Sequence, residues 1–206
     1  MQILPCGDRG LLVELDTLQE VLNLHAALRA DPPPGLSELV PAARTVLLRL
    51  DPTQCDPAGA ERHLRRLNPG SVAAPGQSKA PLVEIPVVYD GPDLPDAARL
   101  LGMSERDLVA AHTAAGWTVA FCGFAPGFGY LVSDDPRFQV PRRGESRTAV
   151  PPGSVALAGE FSGVYPRSSP GGWQLIGTTE LEVWNLDRDP PGLLRPGVHV
   201  RFREEA

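Results

Sequence analysis

Several residue types and motifs are scarce or missing in this chain, and each absence excludes a class of protein. Among 206 residues there are three cysteines, Cys6, Cys55 and Cys122, and none of them forms a C-x-x-C pair. A disulfide framework or a zinc knuckle is therefore not expected. The four histidines are scattered, which argues against a histidine-rich metal site, and no metal is predicted on this chain.

The chain also lacks the signatures of nucleotide binding, serine hydrolysis and membrane insertion. It contains no G-x-x-x-x-G-K-[ST] loop, no G-x-S-x-G elbow and no H-E-x-x-H helix. No stretch approaches about 18 uncharged apolar residues. The first residues, MQILPCGDRG, have neither the charged head nor the apolar run of a signal peptide. We therefore expect a cytoplasmic protein that does not enter the membrane.

Positive charge is limited as well, since the net charge is −6 and Lys79 is the only lysine. A nucleic-acid-binding domain normally carries a basic face, so no nucleic-acid partner is expected. What the chain does contain is 23 prolines and 21 glycines, interspersed with short apolar runs. This texture indicates many turns and a β-rich fold.

The first part of the chain alternates between strand and helix patterns. Helices are predicted to follow the N-caps Thr17 and Asp56, and strands are predicted at 10–15, 36–41 and 45–50. With residues 82–89 as a last strand, the order becomes β-α-β-β-α-β, which is typical of a ferredoxin-like domain. Residues 82–89 could instead open a second domain, because residues 69–81 have the small residues, Pro and Gly of a linker.

Two helices and then a series of short strands are predicted after this linker. Asp93 and Ser104 are the expected N-caps of the helices. Strand-like runs between Pro/Gly turns follow at 118–124, 155–160, 173–178, 181–186 and 199–202. Such spacing predicts a closed β-barrel or a sandwich. The chain is therefore expected to be α+β, with domains at residues 1–78 and 79–206.

The segment GFAPGFGYL, at residues 123–131, is the first of three that carry candidate site residues. Large apolar groups stand on a stiff backbone here, on Phe124, Pro126, Phe128 and Tyr130. The glycines between them let a small ligand approach the backbone closely. These rings either form the wall of a ligand site or plug one end of the barrel. The residues alone leave both interpretations open.

The second segment, PRRGESR at residues 141–147, concentrates arginines in an acidic protein. The guanidinium groups of Arg142, Arg143 and Arg147 match the geometry of a carboxylate or a phosphate and predict an oxyanion pocket. The alternative is a solvated loop whose arginines pair with nearby acids, of which Asp134, Asp135 and Glu145 are the candidates.

The third segment, AGEFSGVYPRSSPGGW at residues 158–173, combines turn formers, hydroxyls and aromatics. Tyr165 and Ser169 are candidate hydrogen-bonding groups, the backbone at Gly171 and Gly172 could hold an anion, and Trp173 adds apolar surface. An ordinary long barrel loop is the alternative. No catalytic residue is predicted, since His112 and Cys122 are better explained as structural groups of the core.

Together and in order, the three segments resemble the KipI family, which includes the B subunit of 5-oxoprolinase and is also called allophanate hydrolase subunit 1. The matching stretches are GFAPGFGYL (123–131), PRRGESRTAVPPGSV (141–155) and GVYPRSSPGGWQLIG (163–177). Gly7-Asp8 before a strand, PVVYDGPDL (86–94) and a helical histidine, His112, also fit. The resemblance covers nearly the whole chain.

This resemblance implies an N-terminal α+β domain, a C-terminal cyclophilin-like β-barrel and a multi-subunit enzyme. The partners it implies are a homologous C-type subunit, similar to allophanate hydrolase subunit 2, and an A-type subunit that is LamB/YcsF-like. The complex would open 5-oxo-L-proline to L-glutamate at the expense of ATP, which would bind through the assembled complex. This chain alone would then be inactive.

The sequence departs from the family pattern at several positions, and the family allows other functions. The family pattern has Pro, Gln, Thr and Arg at four positions where this chain has Ser146, Glu160, Ser162 and Thr178. The loss of an arginine and the gain of a glutamate would weaken an anion site. One alternative is an inhibitor of a sensor histidine kinase. Another is the carboxyltransferase half of a urea carboxylase or allophanate hydrolase system, whose biotin carrier would be another protein.

Overall fold

The structure is a computed structural model that describes residues 1–67, 81–133 and 135–205. These residues divide into two compact units, the first within residues 1–79 and the second within residues 80–206. The domain boundary between residues 78 and 79 and nearly all of the linker at 69–81 lie outside the described residues. None of the helices in the described part of the chain is both long and apolar enough to cross a membrane.

The first unit is an antiparallel four-stranded sheet with two helices. Its elements are β1 (Gln2–Pro5), β2 (Gly10–Glu14), α1 (Leu18–Ala30), β3 (Leu36–Pro41), β4 (Thr45–Leu50) and α2 (Pro57–Arg66), with the strand order β1-β2-β4-β3. Alternate residues of β2 and β4, such as Val13 and Leu48, are fully buried together with Leu24 of α1 and Leu64 of α2. Each strand thus presents one apolar face to the core of this unit.

Both helices of the first unit begin where the capping residues predict. The Thr17 hydroxyl accepts a hydrogen bond from the amide of Glu20, whose carboxylate accepts one from the amide of Thr17, so both halves of a capping box are present. The Asp56 carboxylate accepts from the amide of Gly59 at the start of α2, where Pro57 fits the first turn.

The predicted ferredoxin-like order is wrong at both ends of this unit. β1, which was not predicted, occupies the sheet edge beside β2. The strand predicted at 82–89 corresponds to β5 (Leu82–Val87), which pairs in parallel with a strand of the second unit, so the alternative that this segment opens the second domain is correct. The element order is therefore β-β-α-β-β-α. The long-range pairing of β5 decided its place, and a local pattern carries no information on such pairing.

The second unit is built on a seven-stranded sheet that nearly closes into a barrel. After β5 come α3 (Leu94–Leu100), α4 (Glu105–Ala114), β6 (Trp117–Cys122), β7 (Gly129–Ser133), β8 (Arg147–Val150), β9 (Ser154–Ala158), β10 (Phe161–Val164), β11 (Ser169–Gly171), β12 (Gln174–Thr178) and β13 (His199–Glu204). The order is β12-β9-β10-β7-β6-β13-β5, and β8 pairs separately with β11. Val88, just after β5, forms a bridge with Thr178 of β12, so the two edges of the sheet meet.

The apolar interior of the second unit surrounds Trp117, Leu108 and Phe202, all of which are buried. One predicted strand is wrong: residues 181–186 form no strand, and only Trp184 makes an isolated bridge, to Gly192. The backbone of this run bonds to residues 191–193 instead, since the amide of Asn185 donates to Pro191 and the carbonyl of Val183 accepts from Leu193, so the pairing is too short to form a strand. β7, β10 and β11 were not predicted, because glycine and serine weaken their local strand signal. β8 was not predicted either, because its four residues RTAV are too short to give a clear strand pattern.

Candidate functional site

The turn between β6 and β7 holds Phe124 outward on a strained backbone. Phe124 has φ of 67°, and the amide of Ala125 donates to the carbonyl of Gly123 over 2.7 Å, so the chain reverses within three residues. A positive φ is unfavourable for a bulky residue, and such strain concentrates at functional positions. The Phe124 side chain is 58% exposed, and Pro126 beside it is also exposed.

The other rings of this segment pack beneath Phe124 in an aromatic cluster. Phe128 is buried, and its ring centre lies 5.2 Å from Tyr165 and 5.3 Å from Trp173, both in edge-to-face geometry. Phe124 meets the edge of this cluster, 5.4 Å from Phe128. The sequence left open whether these rings line a ligand site or fill one end of the barrel, and in the structure different rings do each. The inner rings are core, and Phe124 remains accessible to a ligand.

Two tyrosine hydroxyls and Arg142 form a polar group at the border of the aromatic cluster. Tyr165 is only 2% exposed, and within the described residues neither its hydroxyl nor that of Tyr130 has a hydrogen-bond partner. The hydroxyl oxygen of Tyr165 is therefore unpaired, but it is not closed to solvent, so it reaches accessible space. Burial raises the pKa of both tyrosines, and the positive charge of Arg142 opposes that rise. Both hydroxyls are therefore protonated and can donate a hydrogen bond.

The three arginines do not act alike, because two of them are paired within the protein. Nη1 of Arg143 lies 2.5 Å and Nη2 of Arg147 lies 2.8 Å from the same oxygen, Oδ1 of Asp93. The other oxygen, Oδ2, accepts the amide of Leu175 on β12 at 2.8 Å. Arg142 is exposed and makes no ion pair within the described residues.

Asp93 thus has a role that the sequence did not indicate. It was predicted to cap α3, but its side chain makes no capping hydrogen bond and points its carboxylate at the arginines instead. Of the acids expected to pair with the arginines, Asp135 does pair with Arg137, just before the arginine loop at residues 141–147. Glu145 makes no ion pair within the described residues, and Asp134 lies outside them. Asp93 is 50 residues before Arg143, so their contact is a product of the fold.

Asp93 carries its charge in a site that is nearly closed to water. Its side chain is 3% exposed, whereas those of Arg143 and Arg147 are 32% and 24% exposed. Burial by itself would raise the pKa of the Asp93 carboxyl. The hydrogen bonds from Arg147 and Leu175 and the charges of both arginines outweigh this effect and lower that pKa. The carboxylate is therefore ionised at neutral pH.

A cleft of about 310 Å³ opens beside the arginine loop. Its lining combines residues of α3 with the loop before β8 and the first residue of β12: Asp96, Arg99, Leu100, Pro141, Arg142, Arg143, Gly144 and Gln174. Asp96 and Arg99 form an ion pair of 2.8 Å, and the Gln174 amide donates to the Pro141 carbonyl. Arg142 therefore belongs to two groups, since it lines the cleft and its charge acts on Tyr130 and Tyr165.

The third predicted segment meets the arginine loop through its backbone. Gly171 pairs with Arg147 across β11 and β8, and the carbonyl of Gly172 accepts the amide of Arg143 at 2.8 Å. A Cβ on Gly171 would lie 2.3 Å from the Tyr165 hydroxyl oxygen, so only glycine leaves room for that group. Ser169 donates to the Arg167 carbonyl and is nearly buried, so its hydroxyl stabilises the loop itself.

A second buried polar group lies in the interior of the same unit and was only partly foreseen. His112 is completely buried, with Nδ1 2.8 Å from the Tyr89 hydroxyl and Nε2 3.0 Å from the Ser162 hydroxyl. Its ring stacks on Phe202 with the centres 4.2 Å apart. Burial lowers the pKa of His112 to about 3, so the imidazole is neutral. This network is part of the core, although Ser162 was noted in the sequence only as a departure from the family pattern.

The second unit thus combines a nearly closed β-sheet, the aromatic turn at residues 123–131 and an arginine loop that borders a cleft. The profile of the carboxyltransferase domain family, subdomains C and D, matches residues 1–194, and the chain belongs to this family. The chain spans nearly the whole length of two curated relatives, each of which is the B subunit of a 5-oxoprolinase. That of Escherichia coli O157:H7 is 42% identical over 95% of this chain and 92% of the relative. That of Bacillus subtilis (strain 168) is 34% identical over 98% and 91%.

A solved structure of the protein TTHA0988 has the same fold. It superimposes with a TM-score of 0.76 and 38% identity over 96% of this chain. This chain spans only 40% of the TTHA0988 chain, which is therefore a much longer polypeptide. The family resemblance read from the three sequence segments is confirmed by these comparisons.

Proposed function

We propose that this chain is the B subunit of an ATP-dependent 5-oxoprolinase, which opens 5-oxo-L-proline to L-glutamate. The observation that carries this proposal is the 42% identity to the B subunit of the Escherichia coli 5-oxoprolinase along almost the full length of both chains. The site adds chemical support, because 5-oxoproline has one carboxylate, one lactam group and an apolar ring face. The accessible arginine, the two tyrosine hydroxyls and the exposed phenylalanine match these three features.

In this proposal, Arg142 binds the substrate carboxylate. Among the three arginines of residues 141–147, it is the one whose guanidinium makes no ion pair within the described residues, and charge-assisted hydrogen bonds to a carboxylate are the strong ones. The protonated hydroxyls of Tyr165 and Tyr130 would donate to the lactam carbonyl oxygen. The ring face of the substrate would lie against Phe124, which is the accessible ring of the aromatic turn. These groups bind and orient the substrate, and no side chain of this chain is assigned as the catalytic base.

The chemistry also requires ATP and further subunits. An unstrained lactam is a poor electrophile, and transfer of a phosphoryl group to its carbonyl oxygen would activate it for attack by water. ATP would bind through the assembled complex, with the homologous C-type subunit and the A-type subunit as partners. We further propose that the second unit is a cyclophilin-like barrel, that the domain boundary in the sequence lies between residues 78 and 79 and that the protein is cytoplasmic.

Phosphate release from ATP in the presence of 5-oxo-L-proline tests the function directly. The chain alone, the candidate A-type and C-type subunits together, and all three mixed would be compared, with assembly checked by size-exclusion chromatography. We expect 5-oxoproline-dependent phosphate release only from the complete mixture. An assembled complex that releases no phosphate, or a chain that is fully active alone, would contradict the proposal.

Arg142→Ala tests the assignment of the carboxylate-binding residue in that complex. Because a hydrogen bond to a charged group contributes about 1.5–3 kcal/mol, we expect KM for 5-oxoproline to rise about 10- to 100-fold, with a smaller change in kcat. Arg137→Ala is the matched control, since Arg137 pairs with Asp135 on an exposed turn and should leave KM unchanged. An equal KM in the two variants would remove Arg142 from the site.

A further inference from the structure

Asp93 joins two arginines in an unusual way. Both guanidiniums bond to the single oxygen Oδ1, and the second oxygen is used by the backbone amide of Leu175. The carboxylate thereby ties α3, the arginine loop and β12 to one point. Since two positive groups share one negative group, the pair formed by Arg143 and Arg147 keeps a surplus of one positive charge.

The same arrangement leaves hydrogen-bond donors of both arginines unused. Nε of Arg143 and Nη1 of Arg147 are the two buried side-chain atoms without a partner in the described residues. Buried donors in native proteins are nearly always paired, so two in one cluster call for an explanation. Both atoms are closed to solvent, so a ligand would meet the exposed remainder of the two guanidiniums, whose side chains are 32% and 24% exposed and which carry the surplus charge.

We propose that Asp93 is a positioning residue, which holds the guanidiniums of Arg143 and Arg147 in place so that their surplus positive charge acts, together with Arg142, on a carboxylate ligand bound in the adjacent cleft lined by Arg142 and Arg143. The proposal rests on the proposed function only in taking 5-oxoproline as the natural ligand. Asp93 acts through the arginines and does not touch the substrate. It fixes two long side chains that would otherwise sample many rotamers, so that less conformational entropy is lost when the ligand binds.

Positioning and simple charge neutralisation predict opposite effects when Asp93 loses its charge. If Asp93 only neutralised the arginines, Asp93→Asn would add net positive charge and strengthen anion binding. If Asp93 orients the arginines, the same change frees them to move and weakens anion binding. Asp93→Glu keeps the charge but shifts the carboxylate by one methylene, so only the positioning role predicts weaker binding for it.

Titration of the chain with acetate and with 5-oxo-L-proline distinguishes these roles. Binding would be followed by tryptophan fluorescence at constant ionic strength, because Trp173 belongs to the aromatic cluster beside the arginine loop. We expect about a tenfold weaker affinity for acetate in Asp93→Asn and a smaller loss in Asp93→Glu. Asp135→Asn, which changes an Asp–Arg pair outside the site, should bind like the unchanged chain. Circular dichroism would show that each variant is folded.

Each outcome decides the role of Asp93. Unchanged or tighter acetate binding in Asp93→Asn overturns the proposal, as does the absence of saturable acetate binding by the unchanged chain. If Asp93→Asn does not fold, the affinity of Asp93→Glu decides instead. Acetate binding that weakens as expected, together with a complex that does not turn over 5-oxoproline, would support the role of Asp93 and refute the proposed substrate.

Discussion

The second unit contains two buried polar groups that solve the same electrostatic problem in opposite ways. Asp93 and His112 both have lowered pKa values. For an acid this shift preserves the charge, whereas for a base it removes the charge. Asp93 stays ionised beside two arginines that reach solvent, while His112 stays neutral between two hydroxyls and a stacked ring. The charge of Asp93 is thus retained because the arginines compensate it, whereas His112, which is enclosed in the core, is neutral.

Removing the buried carboxylate of Asp93 is expected to have the largest effect on the free energy of unfolding. Asp93→Ala leaves Arg143, Arg147 and the Leu175 amide without their acceptor, so we expect the free energy of unfolding to fall by about 3 kcal/mol. Asp135→Ala breaks a more exposed pair with Arg137 and should cost less than about 1 kcal/mol. Urea unfolding would measure both, and equal losses would show that burial of Asp93 does not matter.

The neutral state of His112 predicts a specific dependence of stability on pH. The unfolded chain takes up a proton at His112 below pH about 6.5, whereas the folded chain does so only near pH 3. The stability that this histidine contributes is complete above the unfolded pKa and is lost as pH falls toward the folded pKa. Between pH 7 and pH 5 we expect a loss of about 2 kcal/mol that His112→Gln does not show.

Tryptophan fluorescence is suited to this measurement, because Trp117, Trp173 and Trp184 all lie in the second unit. Urea unfolding at the two pH values would be followed by this signal. Equal pH slopes for the unchanged chain and His112→Gln would mean that His112 is protonated in the folded protein near neutral pH.

The smallest expected effect concerns one hydroxyl of the neutral network. Ser162→Ala removes the partner of Nε2 of His112 but leaves the bond to Tyr89, so we expect a loss of about 1 kcal/mol in urea unfolding. Ser154→Ala is the matched control, since Ser154 is also buried and its side chain makes no hydrogen bond within the described residues. A larger loss in Ser154→Ala would refute the importance of the His112 bond.

Much of the local structure could be predicted, because it depends on neighbours in the sequence. The helical spacing of apolar residues and the capping residues predicted both helices of the first unit. β3 and β4 have the predicted bounds, Leu36–Pro41 and Thr45–Leu50. What failed depends on distant partners. β5 has a strand pattern, but its pairing with β13 is set by residues more than a hundred positions away. Residues 181–186 resemble a strand in sequence, but their backbone pairs only briefly, with residues 191–193 of the adjacent loop.

The candidate site divides in the same manner. The rings of the aromatic turn and the arginines of 141–147 were identified because each set is local in the sequence. The difference among the arginines was not predictable: Arg143 and Arg147 are paired and Arg142 is not, because the fold brings Asp93 across 50 and 54 residues. Asp93 itself had a simpler local explanation as the N-cap of a helix.

β5 and β13 are almost at opposite ends of the second unit in sequence, yet they run side by side from the pair Leu82 and His199 to the pair Val87 and Glu204. During synthesis β5 leaves the ribosome early and must wait, unpaired, until the residues of β13 have emerged. An unpaired strand edge with apolar side chains invites association with other chains during that interval. Losing the last strand would therefore open the sheet between β5 and β6, and we expect such a chain to aggregate during expression.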